Sequence, residues 1–389
     1  MLRKVMVLLF LAPLLAFVVP ALTPGRGSAL PLFARKYGMP CTSCHVAFPR
    51  LNAFGMQFRQ NGYRIQGTPG QSPWEAKEYP LSLVGNVGYD YTRADTADVV
   101  TGVRGSSSTS AFKQNAVEFH TAGTLAPKVT FHFDNGFADN TGVLTTGMAF
   151  VQFDDLAKDG ALNLKAGIYD AEIPYLASSR NTARPDYLSP VTLDAGGIEL
   201  NGTKSGWTYA AGLINSARDP LNAKPGSSTF NQFENVYAWL MRDIHDQLVT
   251  ARVYLNQQDP RTPSASTSRH LQADVSAYLN SGHWILIPGY TYQKFDDQAD
   301  GVPSPGSTER HQTALLEGLA LFGKDSQWVL TARWELEHIE KLRDQQLEVA
   351  DLGYYVNPNA KIALDWTHAV DNVGGPRVDE VQLYVFVGY

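Results

Sequence analysis

The sequence predicts an all-β protein: a transmembrane antiparallel β-barrel of about 16 strands, preceded by a small helical module. Three observations predict it. From Leu81 to Tyr389 the chain repeats segments of about 10 to 13 residues in which apolar and polar side chains alternate, the two-residue period of strands with one apolar and one polar face. The connections between these segments alternate between short and long. The composition also lies between the soluble and the helical-membrane classes. Charged residues are 18%, hydrophobic residues 44% and the mean hydropathy −0.21, where a soluble domain carries about 25% charged residues. The formal net charge of −6 leaves no cationic excess to neutralise phosphates, which argues against nucleic acid as a partner.

Residues 1–29 read as an export signal. Arg3 and Lys4 form a basic start, Val5 to Leu22 is apolar apart from two prolines, and Gly27-Ser28-Ala29 offers the small residues that a signal peptidase reads, with cleavage expected after Ala29. An uncleaved N-terminal anchor is the competing reading, disfavoured by Pro13 and Pro20. After residue 29 no apolar run reaches the ~20 residues that a spanning helix needs.

Residues 30–78 hold the chemistry-bearing motif. Cys41 and Cys44 are the two cysteines of the chain, and His45 follows at once. In an exported protein a cysteine pair is by default a disulfide. The order C-x-x-C-H points instead to covalently attached haem c: each thiol forms a thioether to one vinyl group, and the adjacent imidazole becomes the proximal iron ligand. A thioredoxin-like pair would sit in a βαβ context, and zinc would need further ligands nearby; neither is present in the sequence. Cys41, Cys44 and His45 are therefore the expected ligands of a single haem, with the sixth iron ligand unassigned. Phe48, Leu51, Phe54 and Phe58 recur at helical spacing as an apolar stripe, with Asn61-Gly62 as the stop. Met56 falls about 140° round the helix from that stripe and is expected to point away from the haem. So small a module cannot bury enough surface alone, so it needs a cofactor, a host or both.

Residues 79–389 form the expected barrel. In 271–280, Leu271, Ala273, Val275, Ala277 and Leu279 oppose Gln272, Asp274, Ser276, Tyr278 and Asn280. Segments of this kind start near residues 81, 112, 127, 144, 161, 193, 206, 230, 246, 269, 283, 309, 326, 344, 359 and 379. That is an even count, as bacterial single-chain barrels have. Long connections are expected at 93–111, 171–192, 215–229, 257–268 and 296–308. A β-sandwich or propeller would alternate too, but over strands of about 5–6 residues. Glu118, His120, His132, Asp134, Lys165, Arg252, Asp274, Glu317, Arg333 and Glu335 must face the lumen, since a charge on the lipid face costs up to about 2–4 kcal/mol. The plain account of these residues is a water-filled porin wall. Asp296, Asp297 and Asp300 form an acidic stretch that reads as a solvated outer loop.

The run from Phe33 to His45, followed by Phe48-Pro49-Arg50-Leu51-Asn52-Ala53-Phe54-Gly55 and Asn61-Gly62-Tyr63, resembles the fused outer-membrane monohaem cytochrome c–porins. The match is specific over 33–63; beyond it only the barrel architecture corresponds. The resemblance implies a monohaem plug on the periplasmic or lumen side of an outer-membrane barrel. It also implies electron flow from an extracellular donor such as Fe(II) to a periplasmic cytochrome, the chemistry of an Fe(II):cytochrome c oxidoreductase. Where a basic residue is expected after Phe54-Gly55, this chain has Met56. The alternative is a porin or channel whose haem-bearing module is only a plug or sensor.

Overall fold

The structure, a computed structural model, describes residues 32–65, 81–97, 104–138, 144–171, 183, 187–188, 194–214, 235–256, 270–299, 302–323, 326–357, 360–371 and 377–388. The expected signal segment and the linker before Leu81 lie outside the described residues. The N-terminal module comprises helix α1 (Leu32–Tyr37), a 3-10 turn at Cys41–Ser43, a two-stranded hairpin of β1 (His45–Ala47) and β2 (Arg50–Leu51), and helix α2 (Ala53–Gln60).

Sixteen strands then close into one antiparallel barrel. They are β3 (Leu81–Ala97), β4 (Arg104–Ala126), β5 (Val129–Ala138), β6 (Leu144–Ala157), β7 (Leu162–Asp170), β8 (Asp194–Lys204), β9 (Trp207–Ile214) and β10 (Asn235–Ile244), followed by β11 (Gln247–Asn256), β12 (His270–Asn280), β13 (Trp284–Ala299), β14 (Val302–Phe322), β15 (Trp328–Ile339), β16 (Arg343–Asn357), β17 (Ala360–Asp371) and β18 (Arg377–Gly388). Each pairs with its sequence neighbours, and β18 pairs with β3 through contacts such as Leu383 to Tyr89, so no edge is left unpaired. The number of strands agrees with the sequence pattern, and most starts agree within two residues.

Two long connections differ from expectation. The stretches 93–111 and 296–308 are largely strand: β3 and β4 stay paired out to Ala97 and Arg104, and β13 and β14 to Ala299 and Val302. These ends are rich in serine and charge on both faces, so they show no alternation, yet the backbone ladder continues. Asp296 lies within β13 and pairs with Lys294 at 2.8 Å, so it stands on a strand rather than in a loop. The Asp297 side chain and Asp300 lie outside the described residues.

The packing of β12 is inside-out relative to a soluble sheet. Gln272, Asp274, Ser276 and Tyr278 are buried, while Val275 and Leu279 are 46% and 41% exposed. The same outward apolar face runs on through Leu213, Leu240, Val253, Leu286, Leu330 and Leu364, all exposed. Only a surrounding apolar medium makes that arrangement favourable over so much surface. We expect Val275→Arg to cost about 2–4 kcal/mol relative to Val275→Leu, measured as the shift in urea midpoint for folding into lipid vesicles. Equal midpoints would mean that β12 does not face lipid.

Every ionisable residue assigned to the lumen from the sequence does face inward, but most are buried rather than bathed in water. Lys165 pairs with Glu199 at 2.6 Å and Arg252 with Asp274 at 3.0 Å, all four nearly inaccessible. Arg333 holds Glu335 at 2.9 Å. The expectation of a water-filled wall fails at this level because the lumen is occupied.

Candidate functional site

The N-terminal module fills the lumen at the end where the short turns lie. Its contacts reach round the whole wall. Gly62 is packed so closely that a Cβ there would sit 2.5 Å from Thr130 on β5. The Gln60 carbonyl accepts from Gln152 on β6 at 3.0 Å. Gln57 donates to Asp243 at the end of β10 at 3.4 Å, and the Tyr355 hydroxyl on β16 donates to the Phe48 carbonyl at 2.8 Å. The Phe48 ring lies 4.9 Å from that of Phe386 on β18.

Three arginines anchor the module by charge. Arg64 pairs with Asp155 at 3.0 Å and with Asp154 at 3.6 Å. Arg59 reaches Asp170 at 3.1 Å. Arg50, fully buried, pairs with Glu317 on β14 and also donates to the Tyr187 hydroxyl at 3.3 Å. Tyr187 belongs to the connection between β7 and β8, whose described residues Ala183, Tyr187 and Leu188 pack against the inner face of the wall. There Ala183 packs with Leu347 and Val349, the Leu188 N–H donates to Glu335 at 2.9 Å, and the Arg333 guanidinium lies 4.3 Å from the Tyr187 ring centre. Module, Tyr187 and wall thus meet at Glu317.

Within the module, Asn52 joins the cysteine motif to the helix. Its side-chain oxygen caps α2 by accepting from the Gly55 N–H at 2.8 Å. Its amide donates to the Ser43 carbonyl at 3.0 Å, and its backbone N–H donates to the Cys44 carbonyl at 2.9 Å. Gly55 is required by that close approach, because a Cβ would lie 2.2 Å from the Cys44 carbonyl oxygen. The capping asparagine is the local signal that places the helix start at Ala53. Phe48 and Leu51, read from the sequence as part of a helical stripe, instead precede the helix: Leu51 is in β2 and Phe48 lies in the hairpin turn. Phe54 and Phe58 are on α2, their rings 6.0 Å apart. Met56 is buried as part of the common core with barrel residues, and Phe54 is the more exposed, because the barrel wall covers the side of α2 that a free-standing module would show to water.

His45 and Cys44 are half-buried and adjacent on the turn that leads into β1. The side chain of Cys41 lies outside the described residues; its backbone opens the 3-10 turn. His45 Nδ1 lies 3.2 Å from the Pro49 carbonyl oxygen, which can only accept. The N–H is therefore on Nδ1 and the lone pair on Nε2, the tautomer found when a histidine binds a metal through Nε2. The Phe48 ring stands 5.1 Å from the imidazole. An aromatic cluster of Phe33, Tyr37, Phe58 and Tyr63 completes the module, with Phe33 stacked on Tyr63 at 4.7 Å. Burial pushes the Tyr37 hydroxyl up to about 12, so at neutral pH it stays a donor to the Tyr63 carbonyl at 3.0 Å.

No protein-family model and no curated protein matches the sequence. Solved structures do match the wall. The anion-selective porin from Comamonas acidovorans superposes with a TM-score of 0.57 at 10% identity, covering 79% of this chain and 99% of the porin. The fold is that of a porin. The outer membrane channel DcaP of Acinetobacter baumannii gives 0.54 at 11% identity, with 79% and 97% covered. OprB of Pseudomonas putida gives 0.53 at 8% identity, with 79% and 94% covered. At such identities the likeness carries the porin fold alone.

Proposed function

We propose that the chain is an outer-membrane monohaem cytochrome c–porin that passes electrons from an extracellular donor, with Fe(II) as the favoured case, to periplasmic electron carriers. The carrying observation is that the segment with Cys41, Cys44 and His45 sits inside a closed barrel wall, held there by Arg50, Arg59 and Arg64 on wall carboxylates. The donor set suits haem c. His45 presents Nε2 by virtue of its bond to Pro49, and Asn52 and Gly55 hold the backbone of the motif against α2. A covalently held haem would supply one-electron chemistry, with its potential tuned by axial ligation and burial.

The barrel accounts for the rest of the reading. A bilayer core of about 30 Å insulates an outside donor from an inside acceptor. Both ends of the barrel chain, Leu81 and Gly388, lie at the short-turn end, which in porins is periplasmic. The module that precedes Leu81 therefore enters from that side, and Tyr187 meets it at Arg50. A lumen packed with buried ion pairs favours a conduit for electrons over an open pore. The second reading, a porin with a haem-bearing plug or sensor, draws on the porin likeness of the wall.

Ferrous iron separates the two readings. In proteoliposomes with the long loops exposed, added Fe(II) is expected to reduce the haem promptly, as followed in the visible absorption bands. A haem that stays oxidised under excess Fe(II) at the working pH removes the iron reading, and ion conductance without donor oxidation supports the channel.

A further inference from the structure

On the barrel wall beside the plug, β4 and β5 carry a second group of ligand-type residues. Register alone assembles it: His120 is directly opposite Asp134, and His132 precedes Asp134 by two residues on the same face. Glu118 lies two residues before His120 and accepts from its Nε2 at 3.0 Å. Asp134 Oδ2 lies 3.3 Å from His132 Nε2 and 3.8 Å from His120 Nδ1. One ligand atom from each of the three residues lies within 4.8 Å of the others. Ligand atoms about 2.0–2.2 Å from a metal ion stand about 3.0–3.5 Å apart, so little contraction is needed to close on an ion.

Three further features point to a built site. The other Asp134 oxygen accepts from the Met148 N–H, which aims Oδ2 at the histidines. The His132 ring is fixed between Phe150, 5.6 Å away and nearly parallel, and Tyr63 of the plug at 5.4 Å. Two glycines make room for the carboxylates: a Cβ at Gly147 would meet Asp134 Oδ1 at 2.4 Å, and one at Gly136 would meet Glu118 Cγ at 2.9 Å. Arg59, the plug cation on this side, is paired with Asp170. His311 forms no such site: Glu337 at 3.0 Å and Glu309 at 2.5 Å engage both of its ring nitrogens.

We propose that His120, His132 and Asp134, with Glu118 at the margin, hold one divalent first-row metal ion in the lumen against the plug. Two imidazoles and a carboxylate suit zinc or ferrous iron rather than calcium or magnesium, which prefer oxygen ligands. The site does not depend on the haem reading, and its test uses a redox-silent ion. Zn(II) is titrated calorimetrically into the full-length protein in detergent, with heat-modifiable gel mobility confirming a folded barrel for each variant. Wild type is expected to take up one tight equivalent. His120→Ala and Asp134→Asn should each weaken it at least tenfold, the order seen even for loss of supporting groups. His338→Ala, at an exposed position paired with Asp344, should not change it. His120 is half-buried, so its variant keeps the test open if changes at buried Asp134 disturb folding. Absence of a saturable equivalent in wild type, or wild-type affinity in the folded His120→Ala protein, overturns the proposal.

Discussion

Cys44→Ser protein is expected to carry almost no covalently bound haem. On the proposed haem reading, stable attachment needs both thiols, and a serine oxygen forms no thioether. The measurement is haem-dependent staining on a denaturing gel, which removes everything not covalently attached. His45→Ala is expected to differ in kind: the thioethers still form, and the absorption spectrum shifts because the proximal nitrogen is gone. The structure adds a distinction. His45 draws its orientation from the Pro49 carbonyl at 3.2 Å, and Cys44 lies beside a helix that only glycine at position 55 lets approach. Wild-type staining intensity in the Cys44→Ser protein would mean that the motif does not attach haem.

Glu317→Leu is expected to release the plug while leaving the barrel closed. Glu317 is fully buried and is shared by Arg50, the Tyr187 hydroxyl at 3.3 Å and Arg333 at 3.8 Å. Removing it strips a shared carboxylate from two guanidinium groups deep in the lumen, while Arg333 keeps Glu335. Stripping one partner from a buried ion pair costs about 3–5 kcal/mol, because the other charge stays desolvated. Most of that cost falls on the module, which owes its position to such contacts, whereas the wall is held by sixteen paired strands. Limited proteolysis should therefore cut the N-terminal segment of the variant faster, at least about a hundredfold where opening and closing are fast relative to cleavage, while the barrel keeps its heat-modifiable mobility. Cleavage at the wild-type rate would mean that Arg50 and Glu317 do not carry the docking.

The elements that were legible in the sequence share a physical origin: they are local. Val275 and Ser276 are neighbours, and their opposite environments follow from a two-residue period that any lipid-facing strand must keep. Elements misjudged from the sequence lacked such a local constraint. The outer ends of β3, β4, β13 and β14 are polar or small at successive positions, so no apolar alternation in the sequence marks the continuing ladder. Leu51 and Phe48 continue a helical spacing by coincidence, and only the Asn52 cap distinguishes hairpin from helix. The lumen charges were assigned to the correct face but to a watery setting, because what fills the lumen comes from elsewhere in the chain.

By itself, the sequence determined the strand number and the face that strands such as β12 turn to lipid, since the cost of a charge in lipid acts within a few residues. Only the tertiary structure decided that the module lies within the barrel, that Arg50 meets a carboxylate 267 positions away and a tyrosine 137 positions away, and that His120 faces Asp134 across two strands. Those pairings depend on how the barrel closes and on which strand ends meet. Closure is a property of all sixteen strands at once, so no window of sequence contains it.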